Sequence, residues 1–593
     1  MTESDLIRPL RSMVAVTSRM LVAGSPFEME TVDVNGTPTR VWKHTPPHLR
    51  AILEGSREHG DAVALVYERE RTTHAELYRG AAALAHRLVD DYGVAKGDRV
   101  AIAMRNYPEW VVSFFATVSI GAIAVPLNAW WTGSELEFGL SDSGAKVLIA
   151  DEERLDRVAD VLPRLGVPAI AVRTAWFGAT QAGDTAGSPR PDSPPEQTRS
   201  WADVMGEVRR DVRIPDTEIA PDDPAGIFYT SGTTGVPKGA VCSHRNMLSN
   251  IVSLQYARVR SLMRLGLDLD DGLGYMEALP TPVVLCPVPL FHATGALTIM
   301  LPALAQGGAL VLMYRWDAEE ALALVERERV TGITAVPAMV NQMLASPRLA
   351  EFDLSSLLSL GTGGAPAAPA LVSRAHGSLQ DLVLGQGYGL TECSATASLN
   401  AATDYLLRPD SAGVPVATVD VKIVDPQGTE LPTGELGEIW LNGPGVVLGY
   451  WRRPEATAST FTDGWLHTGD IGRLDKEGFL YIVDRLKDMI IRGGENVYCP
   501  EVEAAIHEHP AVSEVAVVGV PHDVYGEEVG AVVRPHDGHR IDPAELRDHL
   551  KSRLAAFKIP DHIHVVDAAL PRNAAGKLVK KRVREQQGWT DHR

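Results

Sequence analysis

Between Tyr229 and Val241 the chain reads YTSGTTGVPKGAV, glycines and hydroxyl residues closed by Pro237 and Lys238. Glycines let backbone approach a ligand closely, and successive N–H groups form an anion nest. Thr230, Ser231, Thr233 and Thr234 add hydroxyl donors. The composition suits phosphate, although a solvated Gly-rich turn has the same look. A Walker-type loop needs GxxxxGK followed by Ser or Thr. Counted from Gly232, Pro237 stands where the second Gly belongs, and Gly239 follows Lys238. The spacing fails, so γ-phosphoryl transfer is not the default chemistry.

A second candidate lies far down the chain. Lys577 sits in PRNAAGKL (571–578), on a Gly-containing turn. A point charge on a flexible stem suits the neutralisation of charge developing at phosphorus. The competing reading is a surface lysine in a basic tail, since Lys580, Lys581 and Arg582 follow. Other constellations carry less. His507 and His509 form HxH without a third ligand on an expected helix, which reads as solvated surface. GQGYG lacks the spacing of a dinucleotide fingerprint, and Ser394 has no GxSxG elbow.

The elements that must position these residues follow a βαβ grammar. Strands are expected at 99–104, 124–128 and 146–150, with helices at 108–123 and 134–143. That alternation implies mostly parallel sheets covered by helices. Asn35-Gly36 between two extended segments predicts a hairpin. Residues 182–200, rich in Pro, Ser, Gly and Thr, predict a mobile surface loop. The stretch from about 258 to 282 reads as an irregular insertion. After Ile482 charged residues become frequent, and ~100 residues remain for a small α+β domain.

With 593 residues the chain is too long for one core. A net charge of −20 argues against a nucleic-acid surface. The N-terminus, with Glu3 and Asp5 among its apolar residues, is no secretory signal. The apolar runs 110–127 and 295–314 are broken by Ser, Thr, Gly and Pro, so no transmembrane segment is expected. Cys242, Cys286, Cys393 and Cys499 are far apart, which fits a reducing cytosol and gives no disulfide framework. A cytoplasmic location is expected.

YTSGTTGVPKG resembles the signature loop of the adenylate-forming superfamily, which includes acyl-CoA synthetases. PLFHATG (289–295), GTGGAP (361–366), GYGLTE (387–392), GWLHTGD (464–470), DRLKDMIIRGGENVYCPEVE (484–503) and PRNAAGKL follow in that superfamily's order, covering nearly the whole chain. The resemblance implies an α/β fold. A large N-terminal domain (1–486) of mixed, mostly parallel sheets sandwiched by helices would be followed by a small mobile α+β C-terminal domain (487–593).

It also implies site roles. Thr230, Ser231, Gly232, Thr233, Thr234 and Lys238 would hold the phosphates of ATP. Gly363, Gly364, Ala365, Pro366, Gly387, Tyr388 and Gly389 would face adenine, their small residues leaving flat backbone. Thr391 and Glu392 would lie near the phosphates, with Glu392 the ligand of Mg²⁺. Asp470 would accept from the ribose hydroxyls, with Ile482 and Arg485 beside it. Lys577 would contact the attacking carboxylate and the α-phosphate. Lys487 would be the hinge, and Arg492, Gly493 and Gly494 the face for coenzyme A. Some relatives carry Lys where this chain has Ile491.

The branch is narrowed by His292. Amino-acid-activating relatives place an Asp there, which pairs a substrate ammonium. Spacing from Glu392 to Arg485 is similar to that of CoA ligases. No carrier-protein domain follows, so a free-standing acyl-CoA synthetase is expected. It would use a carboxylic acid, ATP and CoA, and form a homodimer. A stand-alone enzyme loading a carrier protein is the alternative. The acyl pocket is expected to be lined by Phe291, Ala293, Thr294, Val336, Pro337, Met339, Gly361, Thr362, Gly363 and Leu390, with His292 shaping entry. A medium or long fatty acid, or a bulky alicyclic, terpenoid or steroid-type acid, would fit such a pocket.

Overall fold

The computed structural model describes residues 10–34, 36–177, 194–230, 237–365, 367–379, 382–573 and 576–589. Its apolar runs become strands buried on both faces. In Arg99–Ala103 the residues Val100, Ala101, Ile102 and Ala103 are all at most 1% exposed, as continuous apolar composition in a parallel strand requires. Alternation then sorts them. Val100 and Ile102 point into one core, Ala101 and Ala103 into another.

Two large sheets result. A seven-stranded sheet runs Lys238–Ser243, Pro224–Thr230, Ile123–Pro126, Arg99–Ala103, Val147–Asp151, Ala169–Val172, Thr198–Ser200. It is parallel except for the pairing of its first two strands. A nine-stranded sheet runs Val414–Pro415, Ser398–Ala401, Val383–Tyr388, Ser359–Gly363, Gly332–Ala335, Val283–Cys286, Ala309–Leu312, Val63–Tyr67, Glu70–Thr73. It is antiparallel only toward its two edges. The main core lies between the sheets. There Leu77, Ala81, Phe114 and Phe115 of the helices His74–Asp90 and Pro108–Ser119 meet Ile102 on one side and Leu65 and Leu310 on the other. Helices cover both outer faces.

A five-stranded antiparallel sheet of residues 420–485 follows and carries Asp470. Beyond Ile490 another five-stranded sheet and the helices Cys499–His507, Pro543–Leu550 and Lys580–Gln587 enclose two cores of their own. Among the described residues no helix is long and apolar enough to cross a membrane.

Three expectations are corrected. The helix expected at 108–123 ends at Ser119, because Gly121 adopts φ +68° and Ile123 opens the next strand. Residues 258–282 are mostly helical rather than irregular. The helix His244–Arg264 continues through them, and Leu269–Ala278 follows with Asp268 capping its N-terminus. Val259 and Met263 there pack against Val16, Met20, Phe27 and Trp42 from the N-terminal segment. The loop expected at 182–200 ends in an edge strand, Thr198–Ser200, whose Ser200 caps the helix Trp201–Met205. Its earlier part, 182–193, lies outside the described residues, as does Asn35 of the expected hairpin turn. The hairpin itself forms from Met29–Val34 and Thr37–Trp42.

Candidate active site

The parallel strands Ser359–Gly363 and Val383–Tyr388 end, with Pro224–Thr230, at one large cavity of about 2440 Å³. Ligands of open α/β sheets bind at such carboxyl ends. Glycines are required where the backbone is crowded. An added Cβ at Gly389 would lie 2.1 Å from the Ala395 carbonyl oxygen.

One corner is tightly interlocked. Asp470 and Arg485 face each other across a strand pair. The Arg485 guanidinium meets Asp470 at 2.8 Å, and the Tyr388 hydroxyl donates to the other carboxylate oxygen at 2.8 Å. Asp470 is 3% exposed. Burial raises its carboxyl above the usual range, opposed by Arg485 and Tyr388. Ile482 lines the same wall.

A second corner gathers Glu392, Thr230 and Lys238. Thr391 and Glu392 sit on a short 3₁₀ turn after Gly389. Glu392 Oε1 accepts from Tyr450 at 2.9 Å and Thr230 at 3.4 Å. Lys238 Nζ lies 5.2 Å from the centre of the Tyr450 ring, within cation–π reach. Glu392 Oε2 has no partner among the described residues, which fits a hard cation. However, among the described residues no cluster of three or more His, Cys, Asp or Glu could hold a metal. A Mg²⁺ on Glu392 would therefore complete its shell from phosphates and water.

Lys577 reaches this cavity from the other side. Its turn is set by Asn573, whose side chain accepts from the Lys577 N–H at 3.0 Å, and by Gly576 at φ +75°. Lys577 lies against Gly364 (φ +77°), where an added Cβ would stand 3.3 Å from Cε. The ammonium has no hydrogen-bond or ion-pair partner among the described residues. It is exposed to the cavity, with Gly364 crowding its stem. That crowding, with the Arg485 charge, pushes it below the usual lysine range, while Asp470 and Glu392 pull the other way. Lys577 thus shares one cavity with both corners.

His292 lines the cavity with Ala293, Thr294, Val336, Pro337, Gly361, Thr362, Gly363 and Leu390. Burial, with some help from Lys577, pulls its imidazole down to about 3, so it is neutral at physiological pH. Its Nε2 has no hydrogen-bond partner among the described residues. Two expected pocket residues do not reach the wall. Phe291 is buried with its ring 4.6 Å from that of His292, and Met339 packs in the core beside Val336 and Val340. A helix starting at Pro337 turns residue 339 inward, which flat spacing does not reveal.

Gly387, Gly364 and Ala365 line the cavity, as does Lys487 in an exposed turn. Arg492, Gly493 and Gly494 do not. Arg492 pairs with Asp561 at 3.3 Å and stacks on Tyr525 at 4.8 Å, away from the cavity. His507 is exposed on its helix, as expected. Ser231, Gly232, Thr233, Thr234 and Pro366 lie outside the described residues.

Sequence reading missed three supports. Tyr450, in GYWRRP, bridges Lys238 and Glu392. Asp142 accepts from Tyr229 at 2.8 Å and from Arg453 at 2.6 Å, steadying the strand that leads into the Gly-rich loop. Asp484, raised to about 6 by burial, accepts from the Cys499 N–H at 2.7 Å. It thereby ties the helix Cys499–His507 back across the 484–488 turn. No local pattern marked any of the three.

A sequence model described as "AMP-binding enzyme" matches residues 53–451, and "AMP-binding enzyme C-terminal domain" matches 501–577. The chain is 39% identical to a feruloyl-CoA synthase of Amycolatopsis sp over 544 residues, 91% of this chain and 96% of the relative. It is 36% identical to the long-chain-fatty-acid–CoA ligase FadD13 of Mycobacterium tuberculosis over 547 residues, 92% of this chain and 96% of that one. Among solved structures, o-succinylbenzoate CoA synthetase (MenE) from Bacillus subtilis, in complex with its acyl-adenylate intermediate, matches with TM-score 0.73 at 30% identity. The match covers 91% of this chain and 98% of that one.

Proposed function

The chain belongs to the AMP-binding enzyme family and, within it, to the acyl-CoA synthetases of the adenylate-forming superfamily, and from that premise we propose a residue-level division of labour and a substrate type. The enzyme is an AMP-forming acid–CoA ligase that uses ATP and CoA. Its acid has an extended apolar or aromatic body, held in a cavity whose wall includes Gly361, Ala293 and Val336.

In the first half-reaction a carboxylate oxygen of the acid attacks the α-phosphorus of ATP, and pyrophosphate leaves. Asp470, oriented by Tyr388, holds the ribose, and Thr230 and Lys238 the departing phosphates. Lys577 offers its unpaired ammonium to the charge that grows on the α-phosphate and the incoming carboxylate. Catalysis is positioning and charge stabilisation. Glu392 would hold Mg²⁺, which supplies charge neutralisation when bound. In the second half-reaction the thiol sulfur of CoA attacks the acyl carbonyl, AMP leaves, and the thiol proton passes to solvent. His292 is too weak a base at neutral pH to take that proton and instead shapes entry by packing and its free Nε2. For this step the small domain (487–593) swings about Lys487 and brings Arg492–Gly494 to the cavity.

The observation that carries this reading is the unpartnered Lys577 ammonium facing Asp470 and Glu392 across one cavity. The test is pyrophosphate and AMP release from a panel of acids, with and without CoA. CoA-dependent thioester and AMP formation is expected. Release of stable acyl-AMP with no CoA use would overturn the ligase assignment in favour of carrier loading. The four cysteines, all free and buried, suit a reducing compartment and support a cytoplasmic location.

A further inference from the structure

The helix His244–Arg264 carries Arg258, Arg260 and Arg264 close together, and their surroundings differ. Arg260 is 4% exposed and donates to the carbonyls of Leu399 and Pro415. Arg264, 3% exposed, pairs with Asp404 at 2.6 Å. Both of these guanidiniums have acceptors, backbone carbonyls for Arg260 and a carboxylate for Arg264. Arg258 makes no hydrogen bond or ion pair among the described residues, yet it lines the same cavity as His292 and Lys577. It is exposed on the wall of that open cavity. Loss of hydration lowers it from the usual arginine range, and no charged neighbour offsets that loss.

Its place in the cavity follows from the packing of two helices. Asn250 of the long helix donates to the Leu297 carbonyl at 2.7 Å, which fixes that helix against the π-helix Thr294–Met300 just after His292. Leu254 and Arg258 continue the same face from Asn250, Arg258 about 12 Å farther along at 1.5 Å per residue. Thr294 and Thr298, one turn apart on the π-helix, line the cavity with them. The reacting carboxyl belongs near Lys577 and His292, so Arg258 stands on a wall reached by the body of the acid. A guanidinium facing an apolar tail there would lose water without gaining a partner.

We infer that Arg258 is a specificity residue that receives an oxygen acceptor, best a carboxylate, carried by the substrate acid away from its reacting carboxyl. Guanidinium matches carboxylate geometry with two parallel hydrogen bonds, and also donates to a phenol or hydroxyl oxygen. The inference rests on the acid–CoA ligase reading of the cavity. It narrows the acid to one with two oxygen-bearing ends and excludes a plain methyl-ended fatty acid as the best substrate.

The test uses the full-length protein and matched pairs of aliphatic and aryl acids. One member of each pair ends in carboxylate or phenol, the other in methyl at the same position. AMP formation with CoA gives kcat/KM for wild type, Arg258→Leu and Arg258→Lys. Wild type is expected to prefer the oxygen-ended member of at least one pair by roughly 10- to 100-fold. Arg258→Leu should reverse that preference, and Arg258→Lys should keep part of it. A merely destabilised variant would lose both activities in proportion and keep the ratio. An unchanged ratio in Arg258→Leu, or a wild type that prefers methyl ends in every pair, overturns the inference. In that case, CoA-dependent turnover of the methyl-ended acids leaves the ligase reading standing. No AMP formation from any acid overturns both.

Discussion

Two parts of the cavity are built in opposite ways. At the ribose corner Asp470 spends both carboxylate oxygens on Tyr388 and Arg485, on paired strands in the body of the fold. Across from it, Lys577 rides on the 573–577 turn, and its ammonium meets no partner among the described residues. A group required in both half-reactions gains from being fixed, whereas a group required in one must be able to leave. On the proposed reading, the corner is a preorganised binding surface and the lysine a charge delivered by a movable part.

The sharpest break of that contrast is Lys577→Ala. Adenylation, read as pyrophosphate release, should fall by roughly 10²–10³, the effect of removing one preorganised charge-stabilising group. ATP binding should change far less. Asp470→Asn should instead damage both half-reactions, with KM for ATP rising roughly 10- to 100-fold through loss of charge-assisted bonds. If Asp470→Asn spared one half-reaction, the corner would not be the shared element. Gly389→Ala tests rigidity. Its Cβ would strike the Ala395 carbonyl, so thermal unfolding should show about 1–3 kcal/mol of destabilisation. Tyr450→Phe removes one hydrogen bond to Glu392 but keeps the ring beside Lys238. A loss of a fewfold in kcat/KM is expected.

The smallest effect concerns pH. Burial pulls His244 and His292 down to about 3 from the ordinary 6.5. The unfolded chain then binds protons between those values that the folded chain does not. Stability should be full above about pH 6.5 and fall as pH drops toward 3. His292 should add no limb to the kcat/KM profile between pH 5 and 8. A limb near 6.5 that His292→Asn abolishes would contradict its buried, neutral state.

What the sequence disclosed follows from where each residue sits. Tyr388, Glu392, Asp470 and Lys577 lie in short motifs whose residue types suit nucleotide chemistry, and the fold brings them to one cavity. The βαβ order was legible because doubly buried strands must be continuously apolar, as in 99–103. Tyr450 was not, since its partner Glu392 lies 58 residues away and nothing local links them. Residues 258–282 read as irregular because Asp and Gly suggest a loop. Their helicity is fixed by tertiary cover from Phe27 and Trp42 and by the Asp268 cap. Arg258 was hidden for a related reason. An arginine on a helix reads as ordinary surface until the packing places a cavity beside it.

The division between a fixed corner and a delivered lysine is tested most directly by supplying Lys577→Ala with preformed acyl-AMP and CoA in a single turnover. The thioester should form at a rate within a fewfold of wild type, although the same protein barely makes acyl-AMP from acid and ATP. A thioester rate reduced as severely as adenylation would show that Lys577 serves both steps and contradict the account.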